Sequence, residues 1–348
     1  MPKKRTIPPD DRVSQASDVA TALNHKYGKT VIRRGSDLVI ERIPSGLASF
    51  DLAQRQVDRQ GQVVGYGLPR GKFSMVFGGA GGGKSTLCFQ IIRQVQQSAG
   101  LVLFIDGEHK FDPVWARASG VDTETLDVGT PTTMEEMLDM TIETAKSRSY
   151  DLIVVDSIVS MASTLELRDA KGVEFDIDHS TMAVPARRLS EYFRKATAIV
   201  GQSRTAVLFV NQVREKLGGY IVLQDFPGGH ALRHYLSATI RVSRSKTDRQ
   251  PSRGLTPAHT VTFTVTKGIN EGIKKETTFF HEIGYDPADD LVTQLITGGF
   301  LAKKGPGHYD CEGTSCNRDE LLDLVAPHFD TWYDRVMKTV ASPASGAP

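Results

Sequence analysis

The chain has 348 residues, 39% of them apolar, and 42 Lys and Arg against 41 Asp and Glu give a formal net charge of +1. That length suits one large domain with appendages or two ordinary domains, and the balanced charge argues neither for nor against nucleic acid, because positive side chains can still collect on one face. Three cysteines, Cys88, Cys311 and Cys316, exclude a disulfide framework and, without flanking histidine ligands, a zinc site; reduced thiols in a cytoplasmic protein are expected. No apolar run reaches the length of a membrane span, and no membrane partner is expected. Lys3-Lys4-Arg5 is followed by Pro8, Pro9, Asp10 and Asp11, where a secretory leader would need an apolar core.

From Val13 to Tyr27 the apolar positions Val13, Val19, Ala22, Leu23 and Tyr27 recur at helical spacing and stop near Gly28. The polar stretch 33–37 sets this helix apart, so its apolar stripe needs another surface, such as a neighbouring subunit. Short runs rich in Val, Ile and Phe then alternate with longer helical segments, the grammar of an α/β fold. Phe73–Phe77, Leu101–Ile105, Leu152–Val155 and Ala206–Val210 read as buried parallel strands, and Thr239–Ser243 and Thr260–Val265 as strands nearer a sheet margin. After Gly284 the pattern becomes mostly helical, with helices expected over Leu291–Phe300 and Leu321–Val336. Residues 341–348 are small and proline-containing and are expected to be disordered. There is no internal repeat.

Gly78-Gly79-Ala80-Gly81-Gly82-Gly83-Lys84-Ser85 matches GxxxxGK[ST] between a predicted strand and a helix that opens with Thr86. Such glycines let the backbone curl so that several N–H groups face one phosphate, and the helix N-terminus adds partial positive charge. ATP with Mg²⁺ is the implied cofactor pair: Lys84 reaches the outer phosphates and the Ser85 hydroxyl ligates the metal. Thr86 is a good helix-start residue and could do no more than cap. The strand Leu152–Val155 ends in Asp156, the arrangement that sets a carboxylate beside the metal shell. A second strand runs through Asp106 into Gly107-Glu108-His109, and Glu108 is the candidate to orient and deprotonate the attacking water. Asp106 and His109 suit structural hydrogen bonds better. Trp115 could stack on a base or belong to the core.

Beyond the phosphate loop the sequence resembles the bacterial RecA recombinases and their phage-encoded relatives. Lys26–Lys29, Ser45–Leu52, Gly67–Gly71, Asp106–His109, Phe209–Arg214 and Gly228–Leu232 occur in that family's order, over nearly the whole chain. The resemblance implies a RecA-like P-loop ATPase core over 39–285, with a mostly parallel central sheet flanked by helices. It also implies an N-terminal contact helix and linker over 1–38 and a small C-terminal α/β domain over 286–340. By residue, it implies that Glu108 polarises water, Asp112 and Trp115 hold the adenine, and Gln212 senses the terminal phosphate. It further implies self-assembly into a helical filament with ATP between subunits, and Lys267 matches the neighbourhood of a lysine donated across that interface.

The same resemblance assigns DNA contacts to two loops, about 163–181 and 214–229, and to the helix between them. Between 187 and 216 there are seven positive side chains, Arg187, Arg188, Arg194, Lys195, Arg204, Arg214 and Lys216, against Glu191 and Glu215, a credible phosphate-binding stripe. Arg187, Arg194 and Lys195 match positions that touch single-stranded backbone, and Met182 and Leu217 match apolar wedges between bases. Tyr220 could add stacking, and Gly228 and Gly229 end the second loop. Arg244 matches one basic position for the second DNA strand, with Lys246 nearby. Two features depart from the family. Five acids, Glu166, Asp169, Glu174, Asp176 and Asp178, face only Arg168 and Lys171 in a lengthened first loop, and Thr262-Phe263-Thr264 stands where basic residues are usual.

The expected function is ATP-dependent recombination: a filament on single-stranded DNA that searches duplex DNA for homology and exchanges strands, with DNA-stimulated hydrolysis. Loader, mediator and single-strand-binding proteins are possible partners. Two alternatives stay open, a ring-forming helicase motor with a similar ATPase core, and a filament-forming recombination mediator with little turnover.

Overall fold

Runs such as Leu152-Ile153-Val154-Val155, with no polar alternation, bury both faces only in a sheet covered by helices on each side. That sheet is present in the computed structural model, which describes residues 9–158, 160–164, 184–215, 224–225, 229–246 and 254–339, with the backbone alone at 9–10, 184–187, 214–215, 224–225 and 229–231. The expected disordered tail at 341–348 and most of the first expected DNA loop lie outside the described residues. The chain divides into two units, Met1–Glu41 and Arg42–Pro348.

In the first unit, α1 (Pro9–Tyr27) stops where Gly28 turns to φ +62°, a conformation glycine adopts without a steric cost. The Asn24 side chain folds the following segment back, accepting from Val31 N at 2.7 Å and Ile32 N at 2.9 Å. Val13, Val19 and Tyr27 remain more than half exposed, so the stripe expected from the sequence is present and open.

The second unit is built on nine strands: β1 (Phe73–Gly78), β2 (Val102–Asp106), β3 (Asp127–Gly129), β4 (Leu152–Asp156), β5 (Ala206–Gln212), β6 (Leu236–Ser245), β7 (Pro257–Lys267), β8 (Lys274–Phe280) and β9 (Gly284–Tyr285). Their order is β9-β8-β7-β6-β1-β5-β4-β2-β3. From β6 to β3 all neighbours are parallel, and β7, β8 and β9 are added antiparallel. Thr260–Val265 and Thr239–Ser243, expected nearer a sheet margin, stand third and fourth from the β9 edge, nearer that margin than the central β1 but not at it. Both segments lie inside the sheet, paired on both sides, and their alternation arises because one face of β6 to β8 carries Thr, Ser and Lys.

The connecting helices are α2 (Ala48–Ala53), α3 (Lys84–Gln97), α4 (Pro113–Ala118), α5 (Met134–Ser147), α6 (Val184–Ser203) and α7 (Gly229–Tyr235). Leu87, Ile91 and Ile92 of α3 pack with Val76, Val154 and Leu208 in one core, while Leu189, Phe193 and Ala196 of α6 pack with Phe73, Val155 and Phe209 in the other. The sheet is thus sandwiched, and the ends of β1, β2, β4 and β5 meet at one rim, the place where open α/β sheets bind ligands.

Past β9 come α8 (Pro287–Thr297), a three-stranded antiparallel sheet (Lys303–Gly305, His308–Cys311, Thr314–Cys316), α9 (Arg318–Val325) and α10 (Phe329–Lys338). The single helix expected over Leu321–Val336 is broken by a 3₁₀ turn at Ala326–His328, because Pro327 cannot donate to the ladder and crowds the preceding turn. α9 is started by a capping box between Asn317 and Glu320. Leu291, Leu295, Trp332 and Val336 share a core with Ala48 and Leu52 of α2. The Tyr333 hydroxyl donates to buried Asp51, and Ser49 N donates to Asp290 Oδ2 at 2.9 Å, so this C-terminal region is tied to α2 by polar as well as apolar contacts.

Candidate functional site

β1 is buried throughout and delivers the chain at Gly78 into a loop of glycines that ends at the N-terminus of α3. Two of those glycines are required by geometry. At Gly78 an added Cβ would stand 2.0 Å from the Val242 carbonyl oxygen of β6, and at Gly83, with φ +86°, it would meet the Tyr285 hydroxyl at 2.6 Å. No side chain at Gly78, Gly79, Gly81, Gly82 or Gly83 fills the cradle, and Ala80 adds only a methyl group. Lys84 Nζ donates to the Gly79 carbonyl at 2.8 Å, and burial pulls its pKa down from the usual lysine value.

Ser85, in the first turn of α3, donates its Oγ to Asp156 Oδ2 at 2.5 Å across the sheet. These are two hard oxygen donors side by side at the mouth of the loop. Burial raises the Asp156 carboxyl to about 6, partly offset by the Ser85 hydrogen bond. Among the described residues no cluster of three or more His, Cys, Asp or Glu could hold a metal by itself. A hydroxyl plus one carboxylate suits a magnesium ion that takes its other ligands from phosphate and water. The donor set therefore fits MgATP.

β2 and β5 bring the next pair together. Glu108 Oε1 accepts from Gln212 Nε2 at 2.7 Å, and its Oε2 pairs with Lys110 Nζ at 2.8 Å. Burial by itself would raise the Glu108 carboxyl, but hydrogen bonds from Lys110, Ser157 and Gln212 outweigh it and hold the group below the usual glutamate value. Glu108 is thus an ionised carboxylate beside the loop. Asp106 has the structural role expected, accepting from Lys110 N at 3.1 Å and Phe111 N at 2.7 Å to shape the turn after β2.

Asp112 Oδ1 accepts from Val114 N at 2.8 Å and Trp115 N at 3.2 Å, so this carboxylate caps α4. The Trp115 indole donates to Thr86 Oγ1 at 3.1 Å, which gives Thr86 a receiving role inside α3 rather than a cap; the cap position is Gly83. Trp115 is partly buried against the core and near Phe279, the packing that the core reading of this residue expects.

The remaining sequence candidates are dispersed. Arg194 and Lys195 are exposed on α6, opposite the buried stripe Leu189, Tyr192, Phe193, Ala196 and Val200. Arg188, counted in the basic stripe, faces Glu191 at 3.3 Å and Glu135 at 3.7 Å and is partly neutralised. The side chains of Arg187 and Arg214 are not among those described, and Met182, Lys216, Leu217, Tyr220 and Gly228 lie outside the described residues. Gly229 opens α7, and Arg214–Glu215 pairs antiparallel with Gln224–Asp225, so the second expected loop leaves β5 as a short ribbon. Lys267 donates to the carbonyls of Arg233 and His234 at the end of α7. Arg244 lies not with the α6 basic residues but at the phosphate loop, with Nη1 3.4 Å from the Gly81 carbonyl oxygen.

Sequence reasoning missed Lys110, Ser157 and Tyr285. Lys110, two residues past Glu108, carries a local signal; Tyr285 reaches Gly83 from 202 positions away and carries none.

The RecA N-terminal domain family matches residues 15–274. Protein RecA of Thermus aquaticus is 33% identical over 291 residues, covering 81% of this chain and 80% of its own. Protein RecA of Deinococcus radiodurans is 31% identical over 358 aligned positions, 99% of this chain and 94% of its own, and that of Herpetosiphon aurantiacus is 32% identical over 94% and 88%. These matches run through the phosphate loop, the paired Ser85 and Asp156 and the Glu108–Gln212 contact, and this chain belongs to the RecA family of recombination proteins.

Proposed function

We propose that the chain hydrolyses ATP in a DNA-dependent manner and uses the bound triphosphate to set its grip on single-stranded DNA, from which homologous exchange with duplex DNA follows. The observation that carries this reading is the 2.7 Å hydrogen bond from Gln212 to Glu108. It joins a carboxylate held ionised beside the cradle to the end of the strand that leads into the second expected DNA loop.

In this reading Gly78 to Ser85 cradle the β- and γ-phosphates through backbone N–H groups, and Lys84 exchanges its Gly79 carbonyl for phosphate oxygens. Ser85 and Asp156 hold magnesium, which when bound neutralises charge building on the phosphates. Glu108 orients the attacking water and accepts its proton, a role supported by its ionised state and by its position beside Gln212. Gln212, released from Glu108, turns toward the γ-phosphate and pulls on the ribbon at Arg214. Arg194 and Lys195 of α6 supply phosphate contacts, as do Arg187 and Arg214. The open apolar stripe of α1 packs on a second copy in a filament. Lys267 exchanges the α7 carbonyls for the neighbouring subunit's nucleotide.

Phosphate release with and without single-stranded DNA, followed by electron microscopy of the ATP complex, tests the whole reading. DNA-stimulated turnover with open helical filaments supports it. Closed rings would favour a translocating motor, and absence of stimulation would remove the ATPase assignment.

A further inference from the structure

The phosphate loop has no side chain of its own with which to fix its shape. Between Gly78 and Gly83 only Ala80 has a side chain, and glycine surrenders more conformational freedom on ordering than any other residue. Such a loop needs braces from side chains beyond Gly83, and three of its carbonyl oxygens have a side-chain donor. Lys84 Nζ holds Gly79 at 2.8 Å, the Tyr285 hydroxyl holds Gly83 at 3.1 Å, and Arg244 Nη1 reaches Gly81 at 3.4 Å. When Lys84 leaves for a phosphate, the first brace is lost. The other two remain.

Arg244 is well placed for that task. β6 lies between β1 and β7 and is paired to both, with Arg244 in register opposite Val261. Successive same-face residues of a strand are two apart; Val242, whose carbonyl presses on Gly78, and Arg244 therefore follow one another along the loop. An added Cβ at Gly81 would stand 3.0 Å from Arg244 Nη1, so the guanidinium occupies the space that a side chain in the loop would need.

We propose that Arg244 is a positioning residue of the nucleotide site, bracing the glycine loop through the Gly81 carbonyl so that the cradle keeps its shape for a nucleoside di- or triphosphate. This rests on the reading of Gly78 to Ser85 as the ATP cradle. It departs from the DNA-contact role that the resemblance suggests for this position. A guanidinium presents its donors in a planar fork, so one N–H can hold the carbonyl while others face the site.

The test measures ATP and ADP affinity of the full chain without DNA, then turnover with single-stranded DNA and duplex DNA binding at saturating nucleotide, for the wild type, Lys84→Ala, Arg244→Ala and Arg244→Lys. Loss of one charge-assisted hydrogen bond predicts about a tenfold rise in Kd for both nucleotides in Arg244→Ala, with KM raised and kcat at saturating ATP unchanged. Arg244→Lys, which keeps a charged donor, should recover most of the affinity. Circular dichroism at the assay temperature separates this from misfolding, and if Arg244→Ala does not fold, an Arg244→Lys protein with wild-type KM and a Gln substitution with raised KM decide the point. Wild-type nucleotide affinity in Arg244→Ala overturns the proposal, as does a loss confined to duplex DNA binding at saturating nucleotide. If instead the wild type and Lys84→Ala bind nucleotide equally, it is the cradle reading that fails.

Discussion

Replacing Glu108 by Gln removes one negative charge and almost no volume. The carbonyl oxygen of the new side chain can still accept from Gln212 Nε2, now at 2.7 Å from Glu108 Oε1, so the link between β2 and β5 survives. The Lys110 pair is lost, but Lys110 is 74% exposed and solvent screens it, so ground-state binding changes little. What is lost, in the role proposed for Glu108, is the proton acceptor. A positioned general base contributes about 10² to 10⁴ in rate, or about 3 to 5 kcal/mol of barrier. The expected result is therefore a kcat for phosphate release about 10² to 10⁴ lower with DNA present, while the ATP Kd stays within about threefold. Stopped-flow phosphate release and nucleotide titration measure the two separately. A variant with near-normal kcat would refute the role given to Glu108, and a large rise in Kd would show that this carboxylate serves binding.

The raised Asp156 carboxyl, about 6, predicts that magnesium must displace a proton below that pH. The magnesium concentration for half-maximal turnover should rise about fourfold from pH 7.5 to pH 5.5, following the ionised fraction of such a group. Glu108, held below its usual value, adds no limb in this window, and a flat magnesium requirement would count against Asp156 as a ligand. Gly78→Ala forces a methyl group against the Val242 carbonyl, 2.0 Å from the ideal Cβ, and should cost about 3 kcal/mol as overpacking between β1 and β6. Its melting temperature should fall by about 5 °C or more; an unchanged value would mean that the strands part easily. Arg194→Ala with Lys195→Ala should weaken single-stranded DNA binding and flatten the log–log salt slope by about 1.4, from two phosphate contacts at about 0.7 each. An unchanged slope would place the DNA elsewhere.

Much of the site was legible because its signals are local. Lys84 and Ser85 follow glycines at fixed spacing, and Asp156 and Glu108 each follow an apolar run that could only be a buried strand. The contacts that finish the site are not local. Tyr285 reaches Gly83 and Arg244 reaches Gly81 only because β9 and β6 fold back onto the rim, and Trp115 reaches Thr86 only because α4, after β2, packs beside α3; no periodicity encodes these contacts. β6 and β7 looked marginal for a related reason: alternation reports one polar face, whereas sheet position depends on what lies alongside, and β8 and β9 cover the edge. The break between α9 and α10 was readable in Pro327, but the apolar periodicity on either side of it masked the interruption.

In the proposed function, Gln212 ties DNA grip to the nucleotide. Anisotropy of a labelled single-stranded oligonucleotide, measured with a non-hydrolysable ATP analogue and with ADP, tests it directly in the wild type and Gln212→Ala. The wild type should bind more tightly with the analogue than with ADP, and Gln212→Ala should bind equally with both. Equal wild-type affinities, or a preference that survives in Gln212→Ala, would show that Gln212 does not couple the two sites.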